Sequence, residues 1–469
     1  MKCDRCGSEI DPGEEKEYLG QTLCEDCYKE LEREFAVLRH MEKVRGEKRG
    51  NRILLRLWGN KGGNMKRILA FFILTILTTM TCSHILLAQE LKTVKVGALS
   101  PHSGLNAYFG LSVFRSVELA VKNINEKGTL GKGPGILVNG RRWRLEVVSY
   151  DDGGDPAKSV AGMRRLVEMH NVPVIFGPFG TPATWACQEI NMQSGVLFCG
   201  MSASDLSRKK GNSLYFQERL PAIYWGDPMA QACIERGYKK ACIVADVNEA
   251  YSSWAKRFVD KLESLGGKVL GFETIDSKAM TDYHSIMTKF KAKSPDIIFL
   301  SLYEDPQALA ASHALDIGYK GKFFLNSDWG KKAEKIVGLD RLEGSLVEAT
   351  QWMFYQAHPE QDKEGFLTGY LKQYQDTYGY IPAQPGAHIY GVVYMVARAM
   401  EIADTITDPY AIREAAPKAL QEGNLPLIFP NTDVLENGLI YGAPDFLLEI
   451  RDGDYKLIRE LQVPREVLE

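Results

Sequence analysis

Two groups of residues have the types and spacing to do chemistry. The first is Cys3, Cys6, Cys24 and Cys27, arranged as Cys-x2-Cys, seventeen residues, Cys-x2-Cys. Each pair lets two sulfurs reach one ion, and four thiolates suit a closed, tetrahedral zinc site. With cysteine at all four positions, no coordination position is left open for catalysis. Two disulfides are the other use of the same thiols. The intervening "EEKEYLGQTL" can form a short hairpin. Cys82, Cys187, Cys199, Cys233 and Cys242 fall at no metal-ligand spacing and are expected to be buried thiols or a disulfide.

The second group sits at the ends of apolar runs. After "VPVIFGP" comes Phe179-Gly180-Thr181-Pro182. Thr181 suits a helix N-cap and Pro182 the first helical turn. The free N–H groups of such a terminus favour an anion, for instance an amino-acid carboxylate. A plain capping role for Thr181 is the alternative. After "VLFCG" comes Met201-Ser202-Ala203-Ser204-Asp205, small and polar, suited to close backbone approach or to an ordinary turn. "VADVNEAYSSW" puts Tyr251 at a strand end, "FLSLYEDPQ" puts Tyr303 at another and "FFLNSDWG" puts Asp328 at a third. Tyr, Tyr and Asp together make a cradle for an ammonium group, with the carboxylate as counter-ion. The aromatics could equally close a cleft or support the core.

The elements that must position these residues follow from the patterning. Short β-branched runs ("TVKVGAL", "WRLEVVSYDD", "VPVIFGP", "VLFCG") alternate with amphipathic stretches ("SVFRSVELAVKNINEKG", "PAKSVAGMRRLVEMHN", "ATWACQEINMQSG"). The rhythm pauses near "YFQERLPAIYWGDP" and resumes with "KACIVADV", "KVLGFETI", "DIIFLSLY" and "KGKFFLN" and the helical patterns between them. Alternating strands and helices predict parallel sheets covered on both faces, with right-handed crossovers. The pause predicts two α/β lobes with a crossing around Arg219 to Ala222. Ligands of open α/β sheets bind at the carboxyl ends of the strands, so two facing lobes enclose a cleft that closes by hinge motion.

The chain of 469 residues has 45% hydrophobic and 25% charged residues and a net charge of −3, a globular composition with no sign of nucleic-acid binding. The charge is uneven: Arg39 to Arg67 holds ten Lys/Arg and two acids, Glu42 and Glu47. A charged helical pattern, "YKELEREFAVLRHMEKVR", precedes that block. Met65 and the basic Lys66-Arg67 then introduce Ile68–Ala88, 21 residues whose only ionisable side chains are Cys82 and His84. That length can span a bilayer. Its strongly apolar part, Ile68 to Leu77, has the length of a signal-peptide core, and Ala88 offers a small residue for cleavage. Cys82 in "TMTC" lacks the Leu and small residues that precede a lipidated cysteine. A basic block beside an apolar run fits the cytoplasmic side of a membrane.

The body of the chain resembles the leucine/isoleucine/valine-binding group of periplasmic binding proteins, the extracytoplasmic receptors of amino-acid ABC transporters. The resemblance covers about Thr93 to Leu457. It rests on "VKVGALSPHSGLNAYFG", "ELAVKNINEKG", "EVVSYDDGGDPAKSV", "VPVIFGPFGTPAT" and "VLFCGMSASDL" in that order. It implies a type 1 fold, two doubly wound α/β lobes joined by a hinge, with three crossings near Arg219, Glu348 and Phe429. Lobe 1 would be residues 92–219 and 349–428, and lobe 2 residues 220–348 and 429–469. Before them stand a zinc-ribbon-like segment (1–38), a basic linker (39–64) and a signal peptide or anchor (65–89).

The resemblance also implies roles. Thr181 would hold a ligand carboxylate beside the backbone of Ser202, in a turn that includes Gly180 and Ala203. Ser204 and Asp328 would take the ammonium. Phe109 would close over the ligand with Phe179 beside it, and Tyr251 and Tyr303 would face them from lobe 2. Some relatives carry a disulfide between the positions of Gly154 and Gly180, and both are Gly here. Gly386 and Ala387 stand where an aromatic lines the side-chain pocket, and Asp328 is one methylene shorter than Glu. These departures weigh against strict branched-chain specificity and leave room for a bulkier, aromatic or non-standard ligand.

The leading expectation is a monomeric, exported receptor, periplasmic or at the cell surface, that passes an amino acid or related small molecule to an ABC permease. It needs no cofactor in the binding lobes. The alternative is a membrane-anchored sensor with the zinc module in the cytoplasm. An enzyme finds no support, since G-x-S-x-G, P-loop, H-E-x-x-H and dinucleotide fingerprints are absent. A thiolate knuckle suits a reducing cytoplasm and an export signal suits the body after it. Met65 is therefore expected to begin the functional precursor, with the first 64 residues an extended or fused frame.

Overall fold

The computed structural model describes residues 16–18, 21–23 and 91–468, apart from 105, 278, 328, 364, 366 and 428–431. Cys3, Cys6, Cys24, Cys27, the segment 65–89 and Asp328 lie outside the described residues. The chain divides into two compact units, Met1–Gln89 and Glu90–Glu469. In the first, β1 (Lys16–Tyr18) pairs antiparallel with β2 (Gln21–Leu23), the predicted hairpin.

In the second unit, lobe 1 is a six-stranded sheet in the order β4-β5-β3-β6-β7-β8. Its strands are β3 (Lys92–Ser100), β4 (Ile136–Val138), β5 (Arg141–Asp151), β6 (Val174–Phe179), β7 (Leu197–Met201) and β8 (Tyr215–Gln217). All neighbours are parallel except β4 against β5. Helices α1 (Ala107–Lys127), α2 (Pro156–His170) and α3 (Thr181–Ser194) make the crossovers. Asp155 caps α2, accepting from Lys158 N–H at 2.9 Å, and Pro156 fits the first turn where no N–H is required.

Lobe 2 continues with α4 (Gly226–Glu235), β9 (Lys240–Asp246), α5 (Glu249–Ser264), β10 (Lys268–Ile275), α6 (His284–Ala292), β11 (Ile297–Ser301), α7 (Glu304–Asp316), β12 (Lys322–Leu325), α8 (Lys331–Val337) and β13 (Leu346–Thr350). The chain then runs through α9 (Gln351–Ala357), α10 (Thr368–Tyr378), α11 (Gln384–Ile402) and α12 (Pro409–Gln421). It ends in β14 (Asp433–Val434), β15 (Ile440–Tyr441), β16 (Asp445–Arg451), β17 (Asp454–Leu461) and α13 (Arg465–Leu468). The second sheet has the order β10-β9-β11-β12-β13-β16-β17, parallel up to β13 and antiparallel beyond it.

Each sheet is buried on both faces. In lobe 1, α1, α10, α11 and α12 cover one face and α2 and α3 the other. In lobe 2, α6 to α9 cover one face and α4 and α5 the other. Parallel strands buried on both sides read as unbroken apolar runs, as Ile297–Ser301 does with all five residues buried.

The first crossing follows Gln217, the last residue of β8. The other two come later than predicted. Met353 and Phe354 of α9 pack in the core of lobe 2, so the return to lobe 1 follows α9 rather than Glu348. Val434 and Ile440 pack in the core of lobe 1, and Leu439 bridges to Gln217, so the last crossing lies between β15 and β16 rather than at 429. Amphipathic α9 has two neighbours to choose between, and only packing decides which it joins. Cys187, Cys199, Cys233 and Cys242 are buried free thiols, and burial pushes Cys187 up to about 12 and Cys242 up to about 11, which makes them poor nucleophiles. Among the described residues no helix is long and apolar enough to cross a membrane.

Candidate ligand-binding cleft

In both sheets the strand order reverses beside the first strand: between β3 and β6 in lobe 1, and between β9 and β11 in lobe 2. Crossovers leave to opposite faces there, which opens a crevice at the strand ends. A cavity of about 240 Å³ joins the two crevices. Asn106 and Phe109 follow β3, Phe179 ends β6 and Gly180 to Ala183 follow it, Asn248, Ala250 and Tyr251 follow β9, and Tyr303 and Glu304 follow β11.

On the lobe 1 wall, Gly180 follows β6 at φ 101°, a backbone region that disfavours a side chain, and its N–H donates to the Met201 carbonyl at 2.9 Å. The turn releases the chain into α3, whose first-turn N–H groups have no partner within the helix. Thr181 is buried, and its Oγ1 accepts a hydrogen bond from Ser202 Oγ at 3.2 Å. Phe109 and Phe179 stack with ring centres 5.3 Å apart and planes 3° from parallel.

On the lobe 2 wall, Tyr251 and Tyr303 meet edge to face at 4.6 Å. Asn248 holds this corner. Its Oδ1 caps α5 by accepting from Ala250 N–H at 3.0 Å, and its Nδ2 donates to Tyr303 Oη at 2.9 Å. Glu304 opens α7, and its Oε1 accepts from the N–H groups of Lys332 and Ala333 at the start of α8. A carboxylate at the cavity is thus held by two backbone donors.

Phe109, Phe179, Gly180, Thr181, Ala203, Tyr251 and Tyr303 all line the cavity. Ser202 and Ser204 stand behind it. Both are wholly buried, and Ser202 Oγ is shared with Ser207 Oγ at 2.6 Å. Ser204 Oγ caps the turn Asp205–Lys210, accepting from Leu206 N–H at 3.2 Å, so its hydroxyl is engaged where the sequence placed a ligand contact. Gly386 and Ala387 are also buried. A Cβ on Gly386 would lie 2.7 Å from Ser116 Oγ and 2.9 Å from the Ser112 carbonyl, so this glycine serves the crossing of α11 over α1. The residues of α11 that line the cavity are Gln384, Pro385 and His388.

The sequence reading missed Asn106, Glu218, Arg219, Asn248, Glu304, Ser327, Gln384 and His388, all of which line the cavity. Glu304 had a signal: it follows Tyr303 directly at a strand end and opens a helix. At the back of the cleft His388 Nδ1 meets Glu218 Oε2 at 2.9 Å. Behind them Glu348 and Asp445 form a buried carboxyl pair. They are brought together because Asp445 faces Thr350 across the β13–β16 ladder, diagonal to Glu348. Burial first, and then the neighbouring Asp445, pushes Glu348 far above the carboxylate range, with Arg219 opposing. Burial also raises Asp445. The pair therefore holds a proton, with Glu348 its main holder. Glu348 Oε2 accepts from Ser327 N–H at 3.0 Å, linking this pair to the cavity wall.

Two doubly wound lobes with one cavity at both switch points define a two-lobed α/β binding protein. The family model described as periplasmic binding protein matches residues 93–437, and the chain belongs to that family. It is 24% identical over 306 residues to Leu/Ile/Val-binding protein homolog 7 of Brucella abortus, covering 61% of this chain and 71% of the relative. It is 24% identical over 269 residues to the Leu/Ile/Val-binding protein of Escherichia coli K12, covering 57% and 68%. Among solved structures, a leucine binding protein from Thermotoga maritima superposes with a TM-score of 0.66 at 20% identity, covering 80% of this chain and 99% of that one. A branched-chain amino acid substrate-binding protein from Streptococcus pneumoniae in complex with isoleucine gives 0.64 at 20% identity, covering 79% and 99%. A solute binding protein from Rhodopseudomonas palustris in complex with benzoate gives 0.64 at 16%, covering 78% and 96%. At these identities the superpositions show the fold alone.

Proposed function

We propose that residues 92–468 are the extracytoplasmic receptor of an ABC transporter, which captures an amino acid or related small carboxylate and delivers it to a membrane permease. The observation that carries this reading is the cavity joining both switch points, with a helix N-terminus on one wall and a tyrosine pair with Glu304 on the other. A carboxylate fits the first turn of α3, where free N–H groups and the helix dipole favour an anion. An ammonium fits the lobe 2 wall, where Glu304 supplies negative charge and tyrosine faces supply cation–π attraction. Closure of the two lobes then completes the site.

The same cavity continues into a larger one of about 580 Å³, lined by Tyr108, Met280, Leu309, Trp329 and Trp352. The two share Asn106, Phe109, Tyr303, Glu304, Ser327 and Gln384. A ligand headed at Thr181 can extend an apolar or aromatic tail there, which favours one larger than leucine. The test is a thermal-shift screen of residues 90–469 against amino acids and small carboxylates. A ligand that binds only the folded state at 100 times its Kd stabilises it by about 2.7 kcal/mol and raises the melting temperature. No shift with any amino acid or carboxylate would sink the proposal. Asp328→Ala is expected to weaken amino acids far more than ligands lacking an ammonium, and equal losses would remove its assigned role.

A further inference from the structure

After β17, residues 462–468 leave the lobe whose sheet they have just completed. Leu461, the last residue of β17, pairs with Asp445 and is buried in the core of lobe 2, and Val463 still packs against that core. Arg465 then donates to Tyr441 Oη of β15 at 3.0 Å and lies 3.6 Å from Asp433 of β14. Leu468, only 1% exposed, packs with Leu435 and Leu439 between those two strands. The β14–β15 hairpin belongs to lobe 1 through Val434 and Ile440. The segment is thus a strap, a fourth and non-covalent connection beside the three covalent crossings.

Its far end is held by a buried guanidinium. Arg208, in the lobe 1 turn Asp205–Lys210, donates through Nη1 to the Leu468 carbonyl. Its Nε donates to Asp205 Oδ1 at 2.6 Å, and its Nη2 donates at 2.5 Å to Oη of Tyr224, just after the first crossing. Strap end, lobe 1 turn and first crossing meet at this one side chain. Between the strap and the crossings lies a cavity of about 430 Å³, lined by Glu218 and Arg219 of the first crossing, Gly442 and Ala443 of the third, and the strap itself. Glu218, Arg219 and His388 line both this cavity and the cleft. The crossings are therefore not packed solid against the strap, and their backbone has room to turn. Covering apolar surface accounts for the burial of Leu468. It does not require the segment to leave lobe 2, or to be gripped by a buried arginine of the other lobe.

We infer that residues 462–468 are a latch that holds the two lobes at the angle where one cavity has walls from both. Rotation about the crossings moves Leu461 relative to the β14–β15 hairpin. The strap is short and half of it is the helical turn α13, so it has little slack to absorb that movement. Its lobe 1 contacts are made at the closed angle and lost on opening, which weights the closed population. Burial of one leucine shifts such an equilibrium by about 10–100-fold. A receptor biased toward its binding-competent angle binds more tightly, so the strap sets affinity from outside the cleft.

The test is hydroxyl-radical footprinting of the full chain by mass spectrometry, with no ligand added. Its failure would therefore leave the proposed ligand class untouched. Arg465→Ala with Leu468→Ala, and separately deletion of residues 462–469, are compared with the parent. The expected result in both is faster oxidation of the half-buried cleft rings Phe109, Phe179, Tyr251 and Tyr303, toward the rate of the exposed Tyr410, as the open-to-closed ratio rises about 10-fold or more. Phe198 and Phe299, wholly buried in lobes 1 and 2, should keep the parent rate. Unchanged cleft rings in the deletion variant overturn the proposal, because the strap is gone and the lobes have not moved. Should the deletion expose Phe198 or Phe299, the double substitution decides in the same way. Exposure of those core rings in both variants overturns the proposal as well, since the segment is then part of the fold and not a latch.

Discussion

Replacing Glu348 by Gln should leave the protein nearly intact at acid pH and make it more stable than the parent at alkaline pH. Glu348 is wholly buried, and burial together with Asp445 raises its pKa well above the usual 4.5. The folded state therefore holds a proton that the unfolded state releases above about pH 4.3. Below that pH both states are protonated and the contribution is fully present. As pH rises from there to the folded value, stability falls by up to about 1.4 kcal/mol per pH unit for this one proton. Glutamine removes the titration but keeps an N–H donor for Asp445 and an oxygen for the Ser327 N–H. Its cost at pH 5 should be about 1 kcal/mol or less. Glu348→Ala removes the hydrogen-bonding partner of Asp445 and the acceptor of the Ser327 N–H, and each buried polar group left unsatisfied costs about 1–3 kcal/mol. Urea unfolding followed by tryptophan fluorescence at pH 5, 7 and 9 measures all three proteins. Parallel pH profiles for the parent and Glu348→Gln, or equal losses for Gln and Ala, would refute the shared proton.

Three further outcomes are expected. Phe109→Ala removes one ring of the stack over the cavity and should weaken the ligand found by the thermal-shift screen about 10–100-fold, by the ~1.5–3 kcal/mol of a buried ring, read by calorimetry. Gly110→Ala puts a Cβ 1.9 Å from the Pro101 carbonyl and should cost about 1–3 kcal/mol, whereas Gly369→Ala, with open space around it in α10, should gain about 0.5–1 kcal/mol, both read by urea unfolding. Zinc at Cys3, Cys6, Cys24 and Cys27 is expected as one equivalent per chain with thiolate–cobalt charge transfer on substitution, and Cys24→Ser should weaken it.

The alternation of runs such as "KACIVADV" and "DIIFLSLY" made the two sheets legible up to Asn326, because parallel strands buried on both faces are apolar throughout. Helix α1 begins at Ala107, five residues before the periodic pattern was read, since its first turn faces the cleft rather than the core. Beyond Asn326 the sequence loses this alternation. There β13 carries a buried acid mid-strand, and the antiparallel β16 and β17 close the sheet from far along the chain. Cleft residues directly after strands, such as Thr181 and Tyr303, could be read locally. Gln384 and His388 reach the cleft from a helix, with His388 meeting Glu218 from 170 residues along the chain, and nothing in their neighbourhood announces it. Ser204 shows the converse limit. A serine after a strand fits a ligand contact and a helical cap equally well, and the turn that follows claims its hydroxyl.

The cleft has its anion-favouring wall on one lobe and its acidic, aromatic wall on the other. On the proposed reading, a ligand is a tether as well as a cargo. A compound with only a carboxylate, or only an amine, satisfies one lobe and leaves the other free to swing away. One that carries both ends turns the second contact into an intramolecular event with a high effective concentration. Occupancy and closure are then separable: half-ligands fill the site without shutting it. Delivery to a permease that grips the closed form would discriminate against them even where their affinity is adequate.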